Sequence, residues 1–229
     1  MPQTARGPRA SSWGGTSRCL LLGTRGLKAR HRHLLRDLLH ILPHGQSGPK
    51  VGAKQGLSAI AKLCEDTDCT SAVLLDARDT QRLYLWAVGC PNGPSAMFRV
   101  LNVHTVAELN LSARRVLQVR NLLSFDSGFE ACAERRLLKA LLARMFSVPD
   151  LEAGCRCALR VKHTLIFSFV DGRIWVRVFR NTKDAHGELG VEEIGPRLVL
   201  QPVRLIACCF GGAVLSSSGN AAVEAEAAD

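Results

Sequence analysis

The chain has 229 residues, of which 47% are hydrophobic and 22% charged, and these ordinary globular values exclude wholesale disorder and fibrous classes. Aromatic residues make up only 5%, which argues against a surface built mainly on base stacking. The net charge is +10, and residues 1–54 alone hold ten Lys or Arg against one acid, a local charge of +9. Such a concentrated excess predicts an anionic partner: RNA, DNA or an acidic membrane surface.

Residues 1–17 are rich in Arg, Pro, Gly and Ser and are expected to form a basic flexible tail. The absence of acids before Asp37 also resembles a mitochondrial presequence, although prolines and glycines interrupt a continuous amphipathic helix. The nine cysteines are odd in number and too dilute for a disulfide framework, so we expect reduced thiols in an intracellular protein. No credible membrane span is found.

A leucine stripe at helical spacing predicts a first helix that ends at Pro43. The stripe comprises Leu27, His31, Leu34, Leu35, Leu38 and Leu42. Opposite it, at intervals of three, four and four residues, lie Arg25, Lys28, Arg32 and Arg36. Like charges at this spacing repel, so an external polyanion such as RNA would relieve them, and phosphates would be favoured at the helix start. Arg30 and the tail are expected to assist, while a merely solvated basic face remains the alternative.

The chain also contains an internal repeat. Leu34–Leu39 recurs as Leu137–Leu142 at an offset of 103, and Gly93-Pro94 recurs as Gly195-Pro196 at an offset of 102. Two anchors that agree within one residue predict two similar α/β halves. We place them at residues 18–120 and 121–215, followed by an acidic flexible tail over residues 216–229.

The second half has its own local signals. Ser127-Gly128-Phe129-Glu130 is typical of a capping box at the start of a helix that stops before Pro149. Asp171-Gly172 predicts a two-residue hairpin turn. In that register one strand face carries Arg173, Trp175, Arg177 and Phe179. RNA would use the two arginines for phosphates and the tryptophan for stacking, whereas a protein partner would pack on Trp175 and Phe179.

Neither metal binding nor catalysis is predicted. The cysteines and histidines lack the paired spacing of a structural zinc site. No nucleophile elbow, P-loop or dinucleotide-binding glycine pattern occurs, and no cofactor is expected. A metal-dependent nuclease built from dispersed aspartates is the least favoured alternative; its candidates are Asp76, Asp79, Asp126 and Asp171.

Several of these motifs, in this order, resemble the Brix-domain family over residues 19–215. They are Thr24-Arg25-Gly26, Leu34-Leu35-Arg36-Asp37-Leu38-Leu39, Leu42-Pro43-His44, Leu83-Tyr84-Leu85-Trp86, Pro91-Asn92-Gly93-Pro94, Asn102-Val103-His104-Thr105, Leu123-Ser124-Phe125-Asp126-Ser127, Asp171-Gly172-Arg173-Ile174-Trp175 and Glu193-Ile194-Gly195-Pro196-Arg197. The resemblance is strongest to members that act in large-subunit ribosome biogenesis.

This resemblance implies an α/β (α+β) fold of two pseudo-symmetric halves, each similar to the anticodon-binding domain of class II aminoacyl-tRNA synthetases. It also implies binding of pre-rRNA in the nucleolus during large-subunit assembly, and a heterodimer with another assembly factor. No enzyme activity, membrane or small-molecule substrate is implied. A scaffold that binds other assembly factors, with only incidental RNA contact, is the alternative function.

Overall fold

A computed structural model describes residues 18–52, 55–79, 81–109, 120–147, 161–183 and 188–217. Its strands are β1 (Cys19–Thr24), β2 (Gly45–Val51), β3 (Ser71–Asp76), β4 (Tyr84–Gly89), β5 (Ser95–His104), β6 (Arg120–Phe125), β7 (Val161–Val170), β8 (Arg173–Lys183), β9 (Leu189–Glu193), β10 (Arg197–Ile206) and β11 (Val214–Ser217). Its helices are α1 (Ala29–Ile41), α2 (Leu57–Asp66), the single-turn α3 (Val106–Leu109) and α4 (Ala133–Phe146). The predicted mixed α/β fold is confirmed.

The described strands form one continuous sheet of 11 strands, in the order β2-β1-β3-β4-β5-β10-β8-β7-β6, with β9 on β8 and β11 on β10. On either side of the central β5–β10 pair the same arrangement recurs. Parallel strands lie outermost, β2, β1 and β3 at one end and β6 and β7 at the other, and antiparallel pairs follow towards the centre. Two similar halves would give this order, and their division at residues 120 and 121 stays a prediction, as does the similarity of each half to an anticodon-binding domain.

Both long helices pack on the same face of the sheet. Leu34 and Leu38 of α1 and Leu138 and Leu142 of α4 belong to one buried apolar core with Phe98 of the central strand β5. Burial of leucines at intervals of three and four residues accounts for both helices, as the sequence predicted. The core face therefore lies between the sheet and a layer of two helices.

Among the described residues, the opposite face of the sheet is covered beside the first strands. There α2 buries Ile60 and Cys64 against Trp86 of β4, and Phe210, in the loop after β10, completes this second core. The rings of Trp86 and Phe210 lie 5.7 Å apart. Alternate residues of β8 face this same side of the sheet, beyond that cover.

The predicted hairpin is confirmed, and the predicted capping box is wrong. Asp171 and Gly172 have φ values of 51° and 71°, and Val170 pairs with Arg173 across the turn. Ser127 begins a short 3₁₀ turn that is capped by Asp126, whose side chain accepts a hydrogen bond from the Gly128 N–H, and α4 begins only at Ala133.

Some sequence predictions concern parts of the chain outside the described residues. These are the basic tail at 1–17, residues 218–229 of the predicted acidic tail at 216–229, and residues 148–160 between α4 and β7. Strand β11 continues to Ser217, two residues past the predicted end of the second half. Over the described ranges, no helix is both long and apolar enough to cross a membrane.

Candidate nucleic-acid interface

The turn between β1 and α1 is tightly held by the strand beside it. The Ala77 N–H donates a hydrogen bond of 2.9 Å to Thr24 Oγ1. A Cβ on Gly26 would lie only 2.8 Å from the Ala77 carbonyl oxygen, so any larger residue would push the two segments apart. This close approach sets where α1 begins and which way its polar face points.

The four predicted cations lie together on the outer side of this turn and helix. Arg25, Lys28, Arg32 and Arg36 are all exposed. We call this set the basic ladder. On the opposite side of α1, Leu34, Leu38 and Ile41 are buried and hold the helix to the sheet. The basic side of the helix therefore faces solvent.

The electrostatics of α1 favour an anion at its start. No side chain within the described ranges caps the helix at Lys28, and its first turn contains no acid. The first-turn N–H groups and the helix dipole therefore add to the positive charge of the basic ladder. The Arg32 guanidinium is held at this end by a 2.6 Å hydrogen bond to the Leu27 carbonyl oxygen. Asp37, the acid of α1, accepts a 2.9 Å hydrogen bond from the Val106 N–H.

Arg30 lies apart from the basic ladder. It forms an ion pair of 2.8 Å with Glu108 and also donates to the Val103 carbonyl oxygen. Burial opposes ionisation of Glu108, but the Thr105 N–H hydrogen bond and the Arg30 charge together bring the pKa of its carboxyl below the usual value. Arg30 therefore joins α1 to the segment after β5, and its predicted RNA contact stays a prediction.

The second candidate surface is the outer face of β8. Arg173, Trp175 and Arg177 are exposed there, alternating with the buried Ile174 and Val176, as the sequence predicted. Trp175 is 40% exposed and lies between Ser168 of β7 and Val199 of β10. Phe179, further along the strand, is only half-buried. This face offers an aromatic side chain on a flat sheet surface.

One acid offsets part of the charge on this second surface. Glu193 lies opposite Phe179 in the strand pairing and forms a 2.6 Å ion pair with Arg197. Hydrogen bonding to Arg197 and the charges of Arg197 and Arg177 lower the pKa of the Glu193 carboxyl. Spacing along β8 alone could not identify this acid, because Glu193 lies on β9. The basic ladder is thus the more strongly cationic of the two surfaces.

The two surfaces lie on opposite sides of the sheet. The buried residues of β8, such as Val176, share the core of α1 and α4, so Trp175 points away from both helices. Since the basic ladder lies on the outer side of α1, a single short RNA segment cannot contact both surfaces without passing around the sheet.

The four aspartates of the nuclease alternative have separate surroundings. Asp76 pairs with Arg78 at 2.6 Å, and Asp79 Oδ1 accepts a 2.8 Å hydrogen bond from the Gln81 N–H. Asp126 caps a turn, and Asp171 forms the hairpin. Within the described ranges, no group of three or more His, Cys, Asp or Glu side chains could hold a metal ion.

Comparison with known proteins supports the fold and the family. The Brix domain model matches residues 24–204. The human protein named ribosome biogenesis protein BRX1 homolog is 36% identical over 203 residues, which cover 89% of this chain and 56% of the human one. The Saccharomyces cerevisiae ribosome biogenesis protein BRX1 is 36% identical over 204 residues, which cover 85% of this chain and 69% of the yeast one.

A solved structure shares the fold. It is the crystal structure of a probable ribosomal biogenesis protein from Aeropyrum pernix K1, with a TM-score of 0.50 and 17% identity over 81% of this chain and 96% of that one. The chain spans 56% of the length of the human relative. The family match over residues 24–204 and the 36% identity along most of the chain show that this protein belongs to the Brix-domain family.

Proposed function

We propose that this protein is a non-catalytic ribosome biogenesis factor that binds pre-rRNA during assembly of the large subunit. Its curated relatives are named ribosome biogenesis proteins, and the exposed positive charge of the basic ladder suits an RNA partner. We place it in the nucleolus, in keeping with the ribosome biogenesis that its relatives' names state. We also propose that it forms a heterodimer with another assembly factor. Nothing in the comparisons supports the mitochondrial alternative.

The observation that carries the proposal is the outward face of α1. Four cations are exposed there, the helix start is uncapped within the described ranges, and Asp37 is already engaged by a backbone N–H. RNA phosphates would relieve the mutual repulsion of these cations and accept hydrogen bonds from the helix start. Arg173 and Arg177 remain proposed secondary contacts, since Glu193 offsets part of the charge of Arg177.

The test compares affinity for a large-subunit pre-rRNA transcript at several salt concentrations. Neutralising about four phosphates predicts a slope of log affinity against log salt near about −3, at roughly 0.7 to 0.9 per contact. Changing Arg25, Lys28, Arg32 and Arg36 to Gln should bring the slope close to zero in a protein with an unchanged melting temperature.

The matched control removes the same charge elsewhere. Arg18, Lys50, Lys62 and Lys183 are exposed and scattered over the described surface. Changing these four to Gln removes the same net charge as the variant of the basic ladder. Because the basic ladder stays intact, most of the slope should remain. Equal slopes in both variants, or a flat salt dependence in the unchanged protein, would refute the proposed role of the basic ladder.

A scaffold function is the second candidate, and the exposed Trp175 favours it. A sheet face with a 40% exposed tryptophan and an ion pair between Glu193 and Arg197 suits a protein partner. In this case Trp175 and Phe179 would bind another assembly factor, and RNA contacts would be incidental.

A further inference from the structure

A cavity of about 320 Å³ lies beside the basic ladder, between the start of α1 and the segment that joins β3 to β4. Gly26, Lys28 and His31 line it from the α1 side, and Asp79, Gln81 and Arg82 line it from the other. Its volume is at the lower end of the range, about 300 to 1,000 Å³, of small-ligand sites. The cavity thus has room for a group larger than a phosphate ion.

The lining combines three kinds of chemistry. Lys28 and Arg82 supply positive charge at the exposed rim, and Leu83 and Val100 supply an apolar floor. Asp79 and Gln81 supply hydrogen-bonding groups between them. Asp79 lies 3.9 Å from Arg82, so its charge is partly offset at the rim. A planar, polar-edged ring with an attached phosphate matches this combination.

His31 adds a buried group without a described partner. Its Nδ1 is shielded from solvent and makes no hydrogen bond to the described residues. Burial, together with the charges of Lys28 and Arg30, lowers the pKa of the ring below its ordinary value, so His31 is neutral at pH 7. His31 therefore contributes an uncharged ring to the cavity lining.

We propose that this cavity holds one unpaired nucleotide of the bound RNA, with the base inside and its phosphate between Lys28 and the start of α1. This inference rests on the proposed function. The Asp79 carboxylate disfavours a bare phosphate ion but can accept hydrogen bonds from a base, and the apolar floor favours a base over a second phosphate. Recognition of unpaired, splayed-out bases is a common route to RNA specificity.

The test uses two hairpin RNAs that differ by a single unpaired bulge nucleotide. We expect the protein to bind the bulged hairpin more tightly than the fully paired one. This preference should be at least about tenfold in affinity, because a few hydrogen bonds would form only with the bulged nucleotide. The variant Val100→Trp should fill the floor of the cavity and remove the preference. Val191→Trp, on the exposed strand β9, is the matched control and should keep the preference.

The possible results separate the cavity from the basic ladder. Equal affinity of the unchanged protein for both hairpins, with a salt slope near about −3, would overturn the cavity proposal and leave the proposed function standing. Weak, salt-independent binding of both would overturn the two together. A preference that survives in Val100→Trp would place the bulge elsewhere and also overturn the cavity proposal.

A second measurement does not depend on any variant. The four nucleoside 5′-monophosphates are titrated into the unchanged chain while NMR follows the His31 ring and the Gly26 amide. Shifts with at least one nucleotide, larger than those with inorganic phosphate, would support the proposal. No shifts, or equal shifts with phosphate alone, would overturn it.

Discussion

At the scale of single residues, the partners of an arginine decide what it can bind. Arg30 is engaged by Glu108, and Arg177 lies near Glu193, whereas Arg25 and Arg36 are exposed on the outer side of the turn and helix. The sequence grouped Arg30 with the basic ladder because it lies within the same charged stretch. Its partner lies 78 residues further along the chain, where spacing alone cannot identify it.

Buried histidines predict a loss of stability in mild acid. Burial lowers the pKa of His44, although its hydrogen bond to the Met145 carbonyl opposes this, and burial with the charges of Arg180 and Lys162 lowers the pKa of His163. The unfolded chain therefore binds more protons below about pH 6.5. We expect the free energy of unfolding in urea to fall as the pH is lowered from 7.5 to 5.

The control for this prediction is a chain with both buried histidines changed to Gln. Its stability should depend less on pH in the same window, since of the histidines whose pKa is lowered only the half-buried His31 would remain. Carboxylates whose pKa is lowered, such as Glu193, lose their contribution to the free energy of unfolding only below about pH 4.5, which lies outside this pH window. Equal stabilities of the unchanged chain at pH 5 and 7.5 would contradict the prediction.

At the scale of elements, the 3₁₀ turn before α4 depends on a contact with the neighbouring strand β7. Asp126 Oδ1 accepts a 3.1 Å hydrogen bond from the Gly128 N–H, and its Oδ2 accepts one of 2.7 Å from the Phe169 N–H. One carboxylate thus holds both the 3₁₀ turn and the adjacent strand β7. Asp and Ser are both good capping residues, so only this second contact explains why Asp126 is the cap.

Changing Asp126 to Ala should destabilise the protein by about 2 kcal/mol, because two N–H groups lose a charged acceptor. Changing Ser127 to Ala, which a capping box would make equally damaging, should cost less than about 0.5 kcal/mol. Urea unfolding of the two variants decides between them. A larger loss in Ser127→Ala than in Asp126→Ala would restore the capping box.

The elements that the sequence predicted correctly are those with local causes. The leucine spacing of α1, its end at Pro43 and the Asp171-Gly172 turn each depend on residues within a few positions. For the same reason the exposure of the basic ladder was predictable. The position of Glu193 on β9 and that of Arg82 across the cavity from Lys28 depend on sheet pairing over long distances, and no local pattern contains them.

At the scale of the whole molecule, the sheet separates two candidate surfaces. The basic ladder lies on the side of α1 and α4, and Trp175 lies on the other side. RNA on the basic ladder and a protein partner on Trp175 would therefore not compete, whereas RNA contacts at Arg173 and Arg177 would compete with that partner. This arrangement reconciles the RNA-binding proposal with the scaffold alternative, since each would use its own side.

Changing Trp175 to Ala should weaken recovery of co-purifying assembly factors from nucleolar extract and leave the RNA salt slope unchanged. The change removes a half-exposed aromatic anchor, a type of side chain that often dominates interfaces. Combined with the Gln variant of the basic ladder, the two losses should be additive, because distant sites rarely couple. Loss of the salt slope in Trp175→Ala alone would contradict the separation of the two surfaces.

The pairing of β5 with β10 at the centre of the sheet also means that β5 is synthesised well before its partner strand. The two strands are about 100 residues apart in sequence. At roughly 5 to 20 residues per second, a nascent chain carries β5 as an open edge for about 5 to 20 s before β10 is made. Met97 and Phe98 lie on that edge, so nascent chains pass through an aggregation-prone stage. During this stage, neighbouring nascent chains on one messenger RNA can associate.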